Sequence, residues 1–155
     1  MSADISVRPA AKDEQDALGA LKLRSSLAWG DLVDELMALP EAAQLAAELL
    51  PVCFVAEIDG RVAGFATLVQ QDAAEAELED LFVEPSEWRK GVGRRLVDEA
   101  VRRARALGAH SLLVVANRRA QPFYEACGFT VSGMVMTRFE PAPRMCLNLR
   151  GPERS

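Results

Sequence analysis

The chain has 155 residues, 50% hydrophobic and 26% charged, which fits one ordinary globular domain and excludes a disordered chain. No run approaches about 20 consecutive apolar residues, so no transmembrane helix is expected, and the single histidine, His110, excludes a multi-histidine zinc site. The net charge of −5 hides an asymmetry: residues 1–88 hold 18 acids against 5 bases, and residues 89–155 hold 5 acids against 13 bases. The two halves either grip a cation and an anion or simply present two different solvated faces.

Ile5–Arg8 is a short strand closed by Pro9. Ala17, Leu18 and Leu21 recur at helical spacing and predict a first helix over Asp13–Ser25. Trp29-Gly30-Asp31 breaks that pattern, and Asp31 is placed to cap a second helix carrying Leu32, Val33, Leu36 and Met37. Pro40 suits the first turn of a third helical piece, with Leu45 and Leu49 on one face and Pro51 ending it. Val52–Ile58 is β-branched and aromatic, and Asp59-Gly60 predicts a tight hairpin to Arg61–Gln70, with Gly64 as a bulge. Glu75–Val83 alternates as a further strand and stops before Pro85. Arg94–Leu107 is the clearest helix. Leu96, Val97, Ala100, Val101 and Ala104 form its stripe, Arg95/Glu99, Asp98/Arg102 and Glu99/Arg103 are spaced as pairs, and Gly108 is its stop. Ser111–Ala116 is a strand, Ala120–Cys127 a short helix ended by Gly128, and Val131–Phe139 with Arg144–Leu149 a final antiparallel pair. Hairpins first and alternation later give an α/β or α+β class on a mixed sheet.

Trp88-Arg-Lys-Gly-Val-Gly-Arg-Arg95 joins a strand to the amphipathic helix. Gly91 and Gly93 allow close backbone approach and positive φ. The first helical turn offers N–H groups, and Arg89, Lys90, Arg94 and Arg95 add charge, so the stretch suits a phosphate or pyrophosphate. A plain glycine turn before a basic helix is the alternative. It is not a P-loop, having no Lys-Ser or Lys-Thr pair at the required spacing, and Leu96 stands where a dinucleotide fingerprint needs its third glycine. The second informative stretch is Asn117-Arg-Arg-Ala-Gln-Pro-Phe-Tyr-Glu-Ala-Cys-Gly-Phe129, directly after an apolar strand.

Together the two stretches resemble the GCN5-related N-acetyltransferase superfamily, whose acetyl-coenzyme A motif reads Q/R-x-x-G-x-G/A and is followed by a helix, a strand and an Asn…Ala…Phe-Tyr-Glu…Gly-Phe segment. The match runs from about Glu75 to Phe129, with Trp88 in the Q/R position. The resemblance implies a mixed, mostly antiparallel central sheet of about six to seven strands with helices on both faces. It implies a single domain over 1–155, with residues 1–50 towards the acceptor and 75–129 binding acetyl-coenzyme A, used as co-substrate without a metal. The pyrophosphate would sit on the amides of Arg89, Lys90, Gly91, Val92, Gly93 and Arg94. The pantetheine arm would pair with the backbone of Leu81 and Val83, Asn117 would hydrogen-bond it, and Tyr124 would reach the thioester sulfur. The alternatives are a helix cap for Asn117 and a core aromatic for Tyr124. A homodimer is the expected assembly.

In Glu77-Leu-Glu-Asp-Leu-Phe-Val83, a regular strand puts Glu77, Glu79 and Leu81 on one face and Leu78, Asp80 and Phe82 on the other. Buried carboxylates are costly unless they pair or work. Within the family this strand usually carries a bulge, which would bring Glu79 and Asp80 to one cleft. Leu-Glu-Asp is also similar to the polyamine-acetylating branch; a solvated edge strand is the alternative. A primary amine with a pKa of about 10.4 must lose a proton before attack, and Glu79 is the expected base. A backbone N–H near Phe82 is the expected oxyanion donor, and Tyr124 the expected acid for the thiolate. Asp80 and Glu77 are expected to hold the acceptor cation, with Trp29 either walling its pocket or packing ordinarily. His110 has no role, and Cys127 has no evident base for an acyl-cysteine route.

The expected activity is therefore acetyl transfer from acetyl-coenzyme A to a small-molecule or peptide amine. A non-catalytic acyl-coenzyme A sensor is the rival. A nucleic-acid-binding module is disfavoured by the overall acidity and by the lack of aromatics among the arginines. Three scattered cysteines without a C-x-x-C pair and an N-terminus without a secretory pattern point to the cytoplasm, away from membranes.

Overall fold

The computed structural model describes residues 4–30 and 32–150. Its seven strands are β1 (Ile5–Pro9), β2 (Cys53–Ile58), β3 (Arg61–Gln70), β4 (Glu75–Val83), β5 (Ser111–Val115), β6 (Thr130–Met136) and β7 (Pro141–Asn148). They form one mixed sheet in the order β1-β2-β3-β4-β5-β7-β6. Four α-helices accompany them: α1 (Gln15–Leu27), α2 (Val33–Met37), α3 (Val92–Ala106) and α4 (Gln121–Ala126). The chain divides into two compact units, Met1–Thr67 with Asp80–Glu99, and Leu68–Glu79 with Ala100–Ser155.

In the first unit, β1, β2 and β3 pair antiparallel. Asp59 and Gly60 both take positive φ (53° and 78°), as a two-residue turn matching the strand twist requires. The predicted irregularity lies at this hairpin, but Ala63 is the extra residue: Ala56 faces Gly64 and Glu57 faces Val62. Gly64 is required for another reason. A Cβ there would stand 2.8 Å from the Phe82 carbonyl oxygen and 3.1 Å from Val92 Cγ1, so its absence lets α3 lie directly on the strands. On the opposite face Leu18, Leu21, Leu45, Cys53, Val55 and Phe65 form a buried cluster with Phe82 packed against it. Each large side chain so buried contributes about 1.5–3 kcal/mol.

The N-terminal helical region departs from expectation. Lys12–Glu14 is a 3-10 turn ahead of α1, and residues 40–52 form two 3-10 turns, Pro40–Ala43 and Ala47–Val52, in place of one helix. Gln44 is extended between them, and Pro51 lies inside the second turn and does not end it. The expected Asp31 cap falls outside the described residues; Leu32 precedes α2 in the left-handed region.

In the second unit, β4 and β5 pair in parallel over Glu75–Glu77 and Ser111–Leu113, while β5, β7 and β6 pair antiparallel. The last two strands begin and end earlier than predicted, because their register is set by the turn at Thr137, whose hydroxyl accepts from the Glu140 amide. Gly108, at φ 85°, ends α3 in a Schellman cap: its N–H donates to Arg105 and that of Ala109 to Ala104. His110 is exposed.

Candidate active site

The first unit carries the glycine loop expected to bind an anion. After β4, the Glu84 amide donates to the Ala63 carbonyl at 2.8 Å, and Pro85–Glu87 makes a 3-10 turn. Trp88 folds back so that its indole N–H donates to the Val83 carbonyl at 3.0 Å. Arg89 and Gly91 then take positive φ (68° and 90°), and α3 begins. The first bond of its ladder runs from the Arg95 amide to the Gly91 carbonyl, so the amides of Val92, Gly93 and Arg94 lie ahead of the ladder in the positive end of the helix dipole. A Cβ on Gly91 would meet nothing within 4 Å, so the glycine serves its φ and borders open space.

The cations of this loop are partly committed. Lys90 Nζ donates to Glu87 at 2.9 Å, Arg94 faces Asp98 at 3.7 Å, and Arg95 faces Glu99 at 3.6 Å. Arg89 is exposed and makes no ion pair among the described residues. Glu87 is 5% exposed and also accepts from Arg61 Nη2 at 2.9 Å. The Lys90 and Arg61 hydrogen bonds hold its carboxyl below the usual carboxylate range.

Trp29 packs on this loop, its ring centroid 4.9 Å from that of Trp88. Nearby, Arg24 forks onto Glu84 with bonds of 2.9 and 2.7 Å, and Lys22 stands 5.9 Å over the Phe82 ring. The end of α1 is thus bound to the strand-to-loop junction. Asp80 is 8% exposed and accepts from the Thr67 hydroxyl at 2.8 Å, while the Phe82 ring lies 5.7 Å from Phe65. Phe65 and Thr67 share a face of β3, so Asp80 and Phe82 share the face that meets α1.

The second unit carries Glu77, Glu79, Asn117 and Tyr124. Glu77 accepts from Gln71 Nε2 at 2.8 Å, and Glu79 is exposed. Burial alternates without interruption from Ala76 to Asp80, so Glu79 and Asp80 point to opposite faces. Over this stretch a regular pleat separates consecutive side chains; from Leu81 to Val83 the alternation stops. Asn117 is a cap, its Oδ1 accepting from the Arg119 amide at 2.7 Å at the start of the turn Arg118–Ala120. This leaves its NH2 group as the donor side of the amide.

The Tyr-Glu-x-x-Gly-Phe pattern has a local cause. Gly128, at φ 101°, donates to the Glu125 carbonyl and Phe129 donates to the Tyr124 carbonyl, a second Schellman cap. The accompanying apolar contact is between Tyr124 and Phe129 themselves, rings 5.4 Å apart and edge-on, and Phe123 meets Tyr124 at 5.0 Å in the same manner. The cap thereby orients a tyrosine that is 5% exposed. Burial, with Cys127 adding to it, pushes the phenol well above its ordinary 10, so it stays protonated through the neutral and mildly alkaline range.

Sequence reasoning passed over Glu87 and Thr67. The three-residue spacing of Glu87 and Lys90 was the available signal for the first; Thr67–Asp80 is a cross-strand contact without one. Among the described residues no group of three or more His, Cys, Asp or Glu is placed to hold a metal, and no helix is long and apolar enough to cross a membrane.

No curated protein matches the chain. Among solved structures it is similar to the PaiA N-acetyltransferase of Thermoplasma acidophilum in complex with coenzyme A, at 18% identity and TM-score 0.76 over 94% of this chain and 99% of that one. A GCN5-related N-acetyltransferase from Rhodopseudomonas palustris matches at 23% identity and TM-score 0.78 over 96% and 98%. At these identities the likeness is one of fold. Nourseothricin acetyltransferase reaches 30% identity and TM-score 0.58, but the match covers 63% of this chain and 64% of that one. The model of the acetyltransferase (GNAT) family matches residues 22–129, through the glycine loop, α3 and the capped tyrosine helix. The chain belongs to the GNAT acetyltransferase family.

Proposed function

We propose that this protein transfers the acetyl group of acetyl-coenzyme A to a primary amine of a small molecule or peptide by direct attack. The observation that carries the reading is the loop Arg89–Gly91. Two positive-φ residues lead from the β4 end into α3, the space at Gly91 is open, and the first-turn amides of the helix lie ahead of its hydrogen-bond ladder. A pyrophosphate fits that donor set, with Arg89 supplying the uncommitted charge.

Acetyl-coenzyme A, when bound, supplies an activated acetyl group as a thioester. Leu81 and Val83 offer backbone to its pantetheine arm. The Val83 carbonyl already accepts from Trp88, so the Val83 amide is the stronger candidate. Asn117 donates from its amide nitrogen. Glu79 takes the proton of the attacking ammonium, directly or through water, and the Phe82 amide stabilises the charge developing on the acetyl oxygen. Tyr124 donates a hydrogen bond to the departing sulfur. Since its phenol lies above about 10 and a thiol near about 8.5, complete proton transfer runs uphill, and hydrogen-bond donation is its main service. Asp80 and Glu77 attract the cationic acceptor, and Trp29 serves through its packing on the donor loop. One family model runs through both compact units, which supports a single catalytic domain. Assembly as a homodimer in the cytoplasm completes the proposal.

The test is thiol release by purified protein with acetyl-coenzyme A over a panel of amines. Release with at least one amine is expected. Tight acetyl-coenzyme A binding without release over the whole panel would replace the enzyme by an acyl-coenzyme A sensor.

A further inference from the structure

The proposed mechanism leaves the buried carboxylate of Glu87 unused. Glu87 is 5% exposed and accepts from Lys90 of its own loop and Arg61 of β3, both at 2.9 Å. Behind Arg61 stands Asp59 at 3.8 Å; among the described residues these are the charged groups at the carboxylate.

Its place is electrostatically wrong for an anion-binding loop, since a carboxylate repels phosphate. Its bonds explain its presence. Lys90 lies between Arg89 and Gly91, the two positive-φ residues that turn the chain into α3. An arginine in the left-handed region is strained and persists only where its surroundings over-determine it. On one side the chain is fixed by the Trp88 indole on Val83 and the Trp88 amide on Pro85. On the other side Glu87 supplies the tether, through Lys90, and ties both to β3 through Arg61.

We propose that Glu87 is a positioning residue for the donor: its carboxylate holds the Arg89–Gly91 backbone in the anion-binding conformation through Lys90 and Arg61. It thereby strengthens phosphate binding although it carries the opposing charge. This rests on the acetyl-coenzyme A reading above.

The sign of one substitution separates this from plain Coulomb attraction. Glu87→Gln removes a negative charge beside the phosphates, which by charge alone tightens coenzyme A binding, above all at low salt. The proposal requires the opposite, a dissociation constant at least fivefold higher by calorimetry. The KM for acetyl-coenzyme A should rise while the KM for the amine and kcat hold. Glu87→Asp keeps the charge but draws the carboxylate back by one methylene from Lys90 and Arg61, and it should weaken binding as well; it carries the test if the glutamine variant does not fold. Coenzyme A binding that is unchanged or tighter in the folded variants overturns the role of Glu87. Wild type that binds no coenzyme A overturns the acetyl-transfer reading instead, and this proposal with it.

Discussion

Gly64→Ala tests the closest approach in the first unit. The added methyl would lie 2.8 Å from the Phe82 carbonyl oxygen, 3.1 Å from Val92 Cγ1 and 3.3 Å from Leu96 Cδ1. Two of these neighbours are side-chain atoms of α3 that can shift slightly; the carbonyl belongs to the backbone of β4 and cannot. Overpacking usually costs about 1–3 kcal/mol, and the rigid contact puts this site in the upper part of that range, about 2–3 kcal/mol. For a chain of this size each kcal/mol lowers the melting midpoint by about 2–4 °C, so a fall of about 4–12 °C is expected. The strain also falls on the two segments proposed to hold the donor, the end of β4 and the first turn of α3. Coenzyme A at a hundred times its dissociation constant stabilises by about 2.7 kcal/mol; a tenfold weaker complex at the same concentration gives about 1.4 kcal/mol. Thermal unfolding of both proteins, with and without coenzyme A, therefore reads two quantities. An unchanged midpoint together with an unchanged coenzyme A shift would refute the claim that Gly64 sets this approach.

Gly91→Glu should weaken acetyl-coenzyme A binding at least tenfold by calorimetry. Gly91→Ala, which shares the strain at φ 90° but adds no charge, should lose less. Tyr124→Phe should spare binding and slow turnover by a factor that stays constant from neutral to mildly alkaline pH. The phenol's raised pKa keeps it protonated throughout, so the deficit would fade only where wild type itself loses the proton. Glu79→Gln should lower turnover mainly at neutral pH, and its deficit in a pH–rate profile should shrink towards the amine pKa of about 10.4, where free amine is abundant.

Much of the fold was legible because its signals are local. Asp59-Gly60 needs two left-handed residues and has them, Gly108 and Gly128 end helices through their own backbone, and the bounds of β3 and β4 are as predicted. The basic loop before α3 was half legible. Glycine spacing located it, but whether Lys90 points its charge at a ligand or at Glu87 depends on how the 3-10 turn carries Glu87 inward, towards an arginine twenty-six residues away. Residues 40–52 misled for a related reason: apolar positions at helical spacing do not distinguish one helix from two 3-10 turns with extended backbone between them. The opposite faces of Glu79 and Asp80 were legible from the strand alternation, which the burial of Ala76 to Asp80 follows.

The aromatic placement has a spectroscopic consequence. Both tryptophans of the chain stand together, Trp29 on Trp88, in the first unit, and its one tyrosine, Tyr124, lies in the second. Tryptophan emission therefore arises from a single locus beside the proposed donor loop, and an unlabelled titration with coenzyme A reads that locus alone. Tyrosine absorbance follows the other unit. Melting curves recorded through the two chromophores superimpose if the units unfold as one cooperative body and separate if they do not.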